Sequence, residues 1–430
     1  MTPDPVSGGA RTEETGERPG DRGADPWTAR HWIVLVVGLV VAAAIRVPLL
    51  PLPGLAGDIH DFASWVHAIT VGPFGNAYDQ PITFLPVMVY LWGALGALIP
   101  AFQTATDASD PAIRVAMKLI PTLADEGLVL GMAYALRSRP WWAVGTGLAI
   151  AVHPAVIDVS ALFGQYESVY VLFGLIAYLL AIQGRSGLAA VVLAIALMTK
   201  PQALPFLVPF GAWFVARVGW LGAVRLATVG AATIVLLWLP FVAAGGPANY
   251  LETLGDLQGD DFAVLSLRAW NPWWILQVVA AGGEFVSDSV AFVGPLTLRH
   301  VGIALAGILE LVIVVAILRR ATPERLALGL AAAALVAFIA LTTMHERYAY
   351  PALIFLALLF PDRRAVALWA ILAVAFTLNL LAAVPPSVEI GALLPVDGVP
   401  GIVGSLAMTV VTVACLAWLV VDRSPRHLTT

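Results

Sequence analysis

Two carboxylates, Asp58 and Asp61, lie three residues apart just after the first long apolar segment of the chain. On a helix this spacing places both acids on one face, while Ile59, Phe62 and Trp65 form an apolar stripe. A helix of this kind is typical of the lipid interface. The acid pair is suited to a general base that takes a proton from an acceptor hydroxyl, or to a metal site. Solvated loop acids are the alternative.

A glutamine and a glutamate, Gln165 and Glu167, open another apolar segment in the string Phe-Gly-Gln-Tyr-Glu. Polar groups at membrane depth are costly unless they are partnered, so these residues indicate a polar cavity. Helix capping is the alternative, and Asp158 is placed to supply it. Lys200, in the string Lys-Pro-Gln, interrupts a further apolar run. Its ammonium group is suited to neutralise a phosphate, although a lone lysine more often extends to the interface.

The most concentrated polar turn is the string Met-His-Glu-Arg-Tyr at residues 344–348, between two apolar segments. Arg347 is suited to bind a phosphate with two hydrogen bonds, and His345 is suited to donate one to a phosphate oxygen. An ordinary charged loop is the alternative, but a turn this short does not require His345, Glu346 or Arg347. Upstream, Asn271 lies in a tryptophan-rich string whose composition alone is typical of a membrane interface.

The composition excludes a soluble protein. Of 430 residues, 60% are hydrophobic and 12% are charged, and the mean hydropathy is +0.88. A soluble domain is about half apolar and a quarter charged. The apolar runs predict an all-α polytopic membrane protein with about 11–13 membrane helices. The formal net charge is −5 without a basic run, so no nucleic-acid partner is predicted, and the single cysteine excludes an intrachain disulfide.

Arginines set the expected orientation, because cytoplasmic loops are enriched in them. The segment 1–30 is polar and rich in Gly, Pro and Arg, which predicts a disordered cytoplasmic tail. A second cytoplasmic tail is predicted at 423–430. Spans counted from the two ends disagree by one between residues 102 and 217, and a non-spanning or broken element would reconcile them. The run at 187–217, which Lys200 interrupts, is one candidate for that element. The single membrane domain covers 31–422, with outer loops near 51–82, 244–300 and 385–401.

Taken in order, these strings resemble the membrane glycosyltransferases of the GT-C fold. The succession is Gly-Asp…Phe-x-x-Trp, Phe-Gly-Gln-Tyr-Glu, Lys-Pro-Gln, Ser-x-x-Ala-x-Asn-x-Trp and His-Glu-Arg-Tyr, over roughly residues 32–384. The resemblance is greatest to bacterial proteins related to the second mannosyltransferase of glycosylphosphatidylinositol assembly, and weaker to the dolichyl-phosphate-glucose glucosyltransferases of the N-glycan pathway. It implies a GT-C-like helix bundle with an amphipathic helix in the first outer loop.

The resemblance also implies a hexosyltransferase that moves mannose or glucose, with inversion, from a polyprenyl-phosphate donor to an extracytoplasmic glycan, glycolipid or protein. Asp58 then corresponds to the general base, and no metal or other cofactor is implied. Arg46, at the outer end of the first predicted helix, is expected among the phosphate contacts. We expect a monomer in the bacterial plasma membrane, with its active site on the extracytoplasmic side. The residues expected to bind substrate are Asp61, Arg46, Gln165, Glu167, Lys200, Asn271, His345, Glu346 and Arg347.

One departure from the family concerns the start of the second membrane helix, where relatives carry Asp-Tyr-Pro-Pro. Here the matching residues are Thr-Phe-Leu-Pro at 83–86, so that acid is missing. Asp61 and Asp79 are the candidates to replace it. The other interpretation is a site for a different sugar or acceptor.

A transporter or flippase of lipid-linked saccharides is the main alternative, and a scaffold subunit of an envelope-assembly complex is a third interpretation. The transporter would use acids within the apolar segments as a proton or substrate pathway. The enzyme predicts Asp58 and His345 in one outward cavity, whereas the transporter predicts polar groups at mid-depth. The acids of the transport pathway would be Asp125, Glu126, Asp158 and Glu310.

Overall fold

The computed structural model describes residues 26–259 and 262–421. Residues 1–25 and the tail predicted at 423–430 lie outside the described residues. Helices form nearly all of the regular structure, and the strands are two or three residues long. The helices are α1 (Ala29–Arg46), α2 (Ala56–Val71), α3 (Pro86–Leu98), α4 (Pro111–Ala135), α5 (Pro140–Ala151), α6 (Pro154–Ile157), α7 (Glu167–Ile182), α8 (Ser186–Leu197), α9 (Leu207–Val242), α10 (Gly246–Gly259), α11 (Pro272–Ala281), α12 (Leu298–Arg319), α13 (Pro323–Ala340), α14 (Tyr350–Ala357), α15 (Arg363–Ala383), α16 (Val388–Leu393) and α17 (Val399–Val421). The strands are β1 (Ser266–Leu267), β2 (Ala291–Val293), β3 (Leu296–Thr297) and β4 (Met344–His345).

Among the described residues, six helices are long and apolar enough to cross a membrane, and a bent pair, Pro140–Ala151 with Pro154–Leu162, brings the number to seven. The all-α polytopic membrane fold predicted from the composition is therefore confirmed. The apolar runs predicted more spans, about 11–13. Several of those runs form apolar helices of only 10–17 residues. A hydropathy pattern does not separate a spanning helix from a short buried one.

The break predicted near Lys200 is present in the structure. α8 ends at Leu197, a 3-10 turn covers Pro201–Phe206, and α9 begins at Leu207. α9 is itself divided, because Gly219 has a non-helical backbone with φ 73° and ψ 172°. As one straight helix, α9 would be about 54 Å long, well beyond the ~30 Å hydrocarbon core. The kink divides it into two segments.

Helix α13 runs through the centre of the helix bundle. Nearly all residues from Leu326 to Ala340 are buried, and α13 packs against α9, α12, α14 and α17. The run of four alanines at 331–334 lets neighbouring helices approach closely. α13 ends at Ala340, so the polar turn at residues 341–349 is carried by a firmly packed helix.

The amphipathic helix predicted in the first outer loop is α2. Its apolar stripe packs on protein, contrary to the expected position in the lipid interface, since Ile59, Phe62 and Trp65 are 0%, 3% and 6% exposed. The reason is an aromatic cluster that receives the rings of Phe62 and Trp65. This packing fixes α2 and leaves Asp58 and Asp61 on its accessible face. The partner rings are those of Phe84, Trp92 and Tyr166.

A short parallel ladder joins the outer loop predicted at 244–300 to the polar turn at 341–349. In this ladder β1 pairs with β4, and Leu267 lies opposite His345. β2 and β3 form a separate antiparallel hairpin in the same outer loop. Because the ladder is made of backbone hydrogen bonds, it fixes the position of His345 more firmly than the turn alone would.

Candidate functional site

The carboxylate of Asp58 and the guanidinium of Arg347 meet at one cavity. Arg347 Nη2 lies 3.8 Å from Asp58 Oδ2, and Gln165 Nε2 donates a 2.6 Å hydrogen bond to the same oxygen. The side chain of Asp58 keeps 42% of its surface exposed, against 10% for Arg347. Three distant stretches of the chain therefore converge, and the acid remains accessible.

Arg347 is surrounded by three carboxylates. Besides facing Asp58, its Nη1 donates to Glu346 Oε1 at 2.9 Å. Its Nε lies 3.4 Å from Glu167 Oε1, an ion-pair distance without hydrogen-bond geometry. Burial raises the pKa of Glu346, but the charge of the neighbouring Arg347 is the largest of the effects that outweigh burial and hold that pKa at about 2. Glu346 is therefore ionised at neutral pH, and its charge keeps the guanidinium in place.

Glu167 and Lys200 form a buried ion pair, with Lys200 Nζ 2.6 Å from Glu167 Oε1. Glu167 is 0% exposed and does not line the cavity, whereas Lys200 does. The ammonium group also lies 5.4 Å from the ring centre of Phe84 and 5.8 Å from that of Tyr348. The Lys200 ammonium group thus lies on the cavity wall. Glu167 lies behind this wall and pairs with both Lys200 and Arg347.

The surroundings of His345 favour the neutral form of its imidazole. Burial lowers its pKa and the charge of Arg347 lowers it further, against the opposing effect of Glu346. Its Nδ1 lies 3.4 Å from Arg347 Nη1 and 3.7 Å from Glu346 Oε2. When Nδ1 accepts from Arg347, the ring proton is on Nε2. His345 therefore carries an N–H donor that an anionic ligand can use.

A partly open cavity of about 1240 Å³ joins these groups. This volume exceeds the ~300–1,000 Å³ that is typical of ligand pockets, which suits two substrates bound side by side. Seven of the ten predicted site residues line it. They are Asp58, Asp61, Gln165, Lys200, His345, Glu346 and Arg347.

Asp61 lines the cavity beside Asp58, as the helical spacing predicted. Burial raises the pKa of Asp61, while the charge of His60 lowers it and that of Asp58 raises it. Asp79, the other candidate to replace the missing family acid, does not line the cavity. It accepts a 2.9 Å hydrogen bond from Asn76 instead. Of the two candidates, Asp61 is the acid that the structure places next to Asp58.

The structure corrects the expectation that Arg46 contacts the donor phosphate. It is 1% exposed and does not line the cavity. Its Nη2 lies 2.9 Å from Asp125 Oδ2, and its Nη1 donates to the carbonyl oxygen of Ala151 at 2.8 Å. Asp125 also accepts hydrogen bonds from Ser160 and Tyr350. Because its guanidinium is committed to a buried ion pair, Arg46 holds helices together and is not placed to contact a donor phosphate.

Asn271 also lies buried, outside the cavity. Its side-chain oxygen accepts from the Trp274 backbone N–H at 2.9 Å and so caps the start of α11. Its side-chain amide donates to the carbonyl oxygen of Phe338 at 3.0 Å, on α13. Asn271 therefore fixes α11 against the central helix, which is a structural role and not contact with a substrate.

Sequence reasoning missed three charged residues of the segment predicted as an outer loop at 244–300, Arg268, Asp288 and Arg299. Asp288 is 0% exposed and accepts hydrogen bonds from Arg299 at 2.7 and 2.9 Å and from Thr342 at 2.7 Å. This group ties the loop to the turn that carries His345. Arg268 and Arg299 both line the cavity. The sequence offered a signal only for Arg268, which lies within the tryptophan-rich string. Nothing near Asp288 or Arg299 in the sequence indicated a place at the site.

The four acids assigned to a transport pathway do not line the cavity. Asp125 is paired with Arg46. Within the described ranges, Glu126, Asp158 and Glu310 each have carboxylate oxygens without a hydrogen-bond partner. None of these four acids therefore shares the cavity wall with Asp58.

The metal interpretation of Asp58 and Asp61 needs further ligands, since protein metal sites usually have three or more. Within residues 26–259 and 262–421, no group of three or more His, Cys, Asp or Glu side chains is placed to hold a metal ion. Asp58 instead accepts from Gln165 and lies beside Arg347. These surroundings suit a carboxylate that acts as a base.

A scan of the sequence against protein-family models finds no match, and neither does a search of the curated proteins. The interpretation of the site therefore depends on its residues and their geometry.

Proposed function

We propose that this protein is a membrane glycosyltransferase that transfers a hexose, mannose or glucose, from a polyprenyl-phosphate donor to an acceptor hydroxyl with inversion. The proposal is carried by the meeting of Asp58 with Arg347 at one large cavity. An accessible carboxylate supplies a base, and a fixed guanidinium supplies the charge that a departing phosphate ester needs. Transfer from a lipid phosphate requires both groups within reach of one sugar.

The cationic side of the cavity is suited to hold the donor phosphate. Arg347 offers a guanidinium fork, Lys200 a point charge and neutral His345 an N–H donor. Phosphate oxygens then compete with Asp58 for Arg347, and the 3.8 Å separation from Asp58 is the longest of its three carboxylate distances. Donor binding therefore frees Asp58, while Glu167 and Glu346 keep the guanidinium in position.

In the proposed reaction Asp58 takes the proton of the acceptor hydroxyl as the hydroxyl oxygen attacks the anomeric carbon of the donor sugar. The bond from that carbon to the phosphate oxygen breaks, and the polyprenyl phosphate leaves with the electron pair. Attack opposite the leaving group inverts the anomeric configuration. Gln165 orients the base, because its amide holds Oδ2 and leaves the second oxygen for the proton.

The apolar part of the cavity wall is suited to the lipid of the donor. Branched aliphatic and aromatic side chains lie on the same cavity as the polar groups, and burial of isoprenoid units against them favours binding. The apolar wall includes Leu254, Leu257, Phe262, Phe285, Ile303 and Leu341.

We place the site on the extracytoplasmic side of a bacterial plasma membrane, following the orientation expected from the arginines. The acceptor is then a glycan, a glycolipid or a protein exposed on that side. The transporter interpretation has less support, because it needs polar groups along a central path and its candidate acids do not line the cavity.

A transfer assay with purified protein in lipid nanodiscs and a panel of polyprenyl-phosphate sugars tests this proposal. Asp58→Asn keeps the shape of the side chain and removes the base, so we expect a rate about 10²–10⁴-fold lower. Asp79→Asn is the matched control, since this acid lies in the same outer loop but outside the cavity. Equal rates for wild type and Asp58→Asn remove Asp58 as the base. Wild type that transfers from none of the donors contradicts the enzyme and favours the transporter.

A further inference from the structure

Two residues on the cavity have a backbone conformation that residues with a side chain rarely adopt. Among the described residues, Arg268 with φ 61° and Thr343 with φ 62° are the non-glycine residues with positive φ. Arg268 directly follows β1, Thr343 directly precedes β4, and both line the cavity. Such strain persists only where the surrounding structure enforces it, and it clusters at functional sites.

The conformation of Arg268 is enforced from α15. Asn379, which is 0% exposed, donates from Nδ2 to the Arg268 carbonyl oxygen at 2.8 Å, and its Oδ1 accepts from the Trp270 backbone N–H at 3.0 Å. Arg268 Nη1 donates to the carbonyl oxygen of Ala383 at 2.9 Å. A single β-bridge joins Arg268 to His345. A buried asparagine is thus committed to the turn that directs one arginine toward the cavity.

Arg268 differs in its charge environment from the other Lys and Arg residues on the cavity. Lys200, Arg299 and Arg347 each pair with a carboxylate, the nearest at 2.6, 2.7 and 2.9 Å. Within the part of the chain that the structure describes, Arg268 pairs with no carboxylate, and the residue is exposed. Among the described residues, an anionic ligand therefore competes with no carboxylate paired to this guanidinium, and the planar guanidinium is suited to two phosphate oxygens.

We infer that Arg268 binds the phosphate of the lipid donor together with His345, its neighbour across the β-bridge. This inference rests on the proposed function, and it assigns the guanidinium of Arg268 to the phosphate of an isoprenoid ester. Glycine would adopt this backbone without strain but supplies no cation, which accounts for an arginine at this position. Asn379 then acts as a positioning residue.

The test uses variants that remove the cation and relieve the strain together. Arg268→Gly and Arg268→Asn both suit a left-handed backbone, so we expect an unfolding temperature no lower than that of wild type. Calorimetry then measures binding of farnesyl phosphate to the full-length protein in detergent, with farnesol as the matched ligand without phosphate. We expect the affinity for farnesyl phosphate to fall about tenfold or more, and the affinity for farnesol to stay unchanged.

Equal affinity of wild type and both variants for farnesyl phosphate overturns the inference and leaves the proposed function standing. Wild type that does not bind farnesyl phosphate overturns both. Unchanged farnesyl phosphate affinity with a raised Michaelis constant for an anionic acceptor places the cation at the acceptor, and also overturns the inference. Arg268→Lys keeps the charge and loses the fork, so an affinity between those of wild type and Arg268→Asn supports a direct phosphate contact.

Discussion

Gln165 Nε2 donates a 2.6 Å hydrogen bond to Asp58 Oδ2, which connects the segment before α7 to the first turn of α2. Asp58 is 42% exposed in its side chain, so this bond is a main restraint on an otherwise accessible group. Arg347 Nη2 lies farther from the same oxygen, at 3.8 Å. In the proposed enzyme, Gln165 therefore orients the Asp58 carboxylate, and Arg347 binds the donor phosphate.

Gln165→Leu removes the hydrogen-bond donor without adding a charge. We expect kcat to fall about tenfold or more, because a hydrogen bond to a charged group contributes ~1.5–3 kcal/mol. The KM for the donor is expected to stay unchanged, since the phosphate contacts remain. Steady-state kinetics with purified protein measure both constants. In an Asp58→Asn background the same change is expected to have little further effect, and a full additional loss there would count against an orienting role.

Arg347 is expected to stabilise the fold as well as to bind the donor. Arg347→Gln leaves Glu346 buried without its counter-charge and leaves Glu167 paired with Lys200 alone, which is expected to cost ~3–5 kcal/mol. The double variant Glu346→Gln/Arg347→Gln is expected to unfold at a higher temperature than Arg347→Gln, because one buried charge is removed with its partner. Thermal unfolding in detergent measures the difference. Losses that simply add would show that the two residues do not interact.

The lowered pKa of His345 predicts that the stability of the fold depends on pH. Its pKa in the folded protein lies below the ordinary value of 6.5, so the unfolded chain binds the proton more readily, and stability is expected to fall as the pH decreases below 6.5. Glu346, with a pKa of about 2 against an ordinary 4.5, loses its contribution only below pH 4.5. Unfolding temperatures from about pH 7 to about pH 5 are expected to decline less in His345→Asn than in wild type. Parallel declines would contradict a lowered pKa at His345.

Arg46 is expected to affect stability and not donor binding. Arg46→Met leaves Asp125 as an unpaired buried charge, at an expected cost of ~3–5 kcal/mol. Arg46→Met/Asp125→Asn is expected to recover part of that loss, and its affinity for farnesyl phosphate is expected to equal that of wild type. A lowered affinity in this double variant, at a restored unfolding temperature, would return Arg46 to the donor site.

Local sequence patterns predicted the features that lie within single segments. The acid pair of α2 and the polar turn at 344–348 were recognisable because polar groups in an apolar sequence are costly unless they are partnered. The break near Lys200 was suggested by the span count and by the Lys-Pro-Gln string, which interrupts an apolar run. Each of these features depends on neighbours in the chain, so the sequence carries the signal directly.

Pairings between distant segments were not predictable in the same way. The Arg46–Asp125 ion pair and the ladder between β1 and β4 join residues whose separation in the chain leaves no periodic signal. The apolar stripe of α2 suits contact with either lipid or protein, so the sequence does not distinguish the two. The packing of Phe62 in the aromatic cluster shows that the stripe contacts protein. The strained backbone of Arg268 likewise depends on Asn379, which lies on α15.

Single-turnover transfer by Asp58→Asn, preloaded with a short-chain polyprenyl-phosphate mannose or glucose, tests the role of the carboxylate most directly. We expect donor affinity to match that of wild type, because Arg347, His345 and Lys200 are all retained, and the transfer rate to fall about 10²–10⁴-fold. Transfer at the wild-type rate by this variant, with its donor bound, would contradict a base at Asp58.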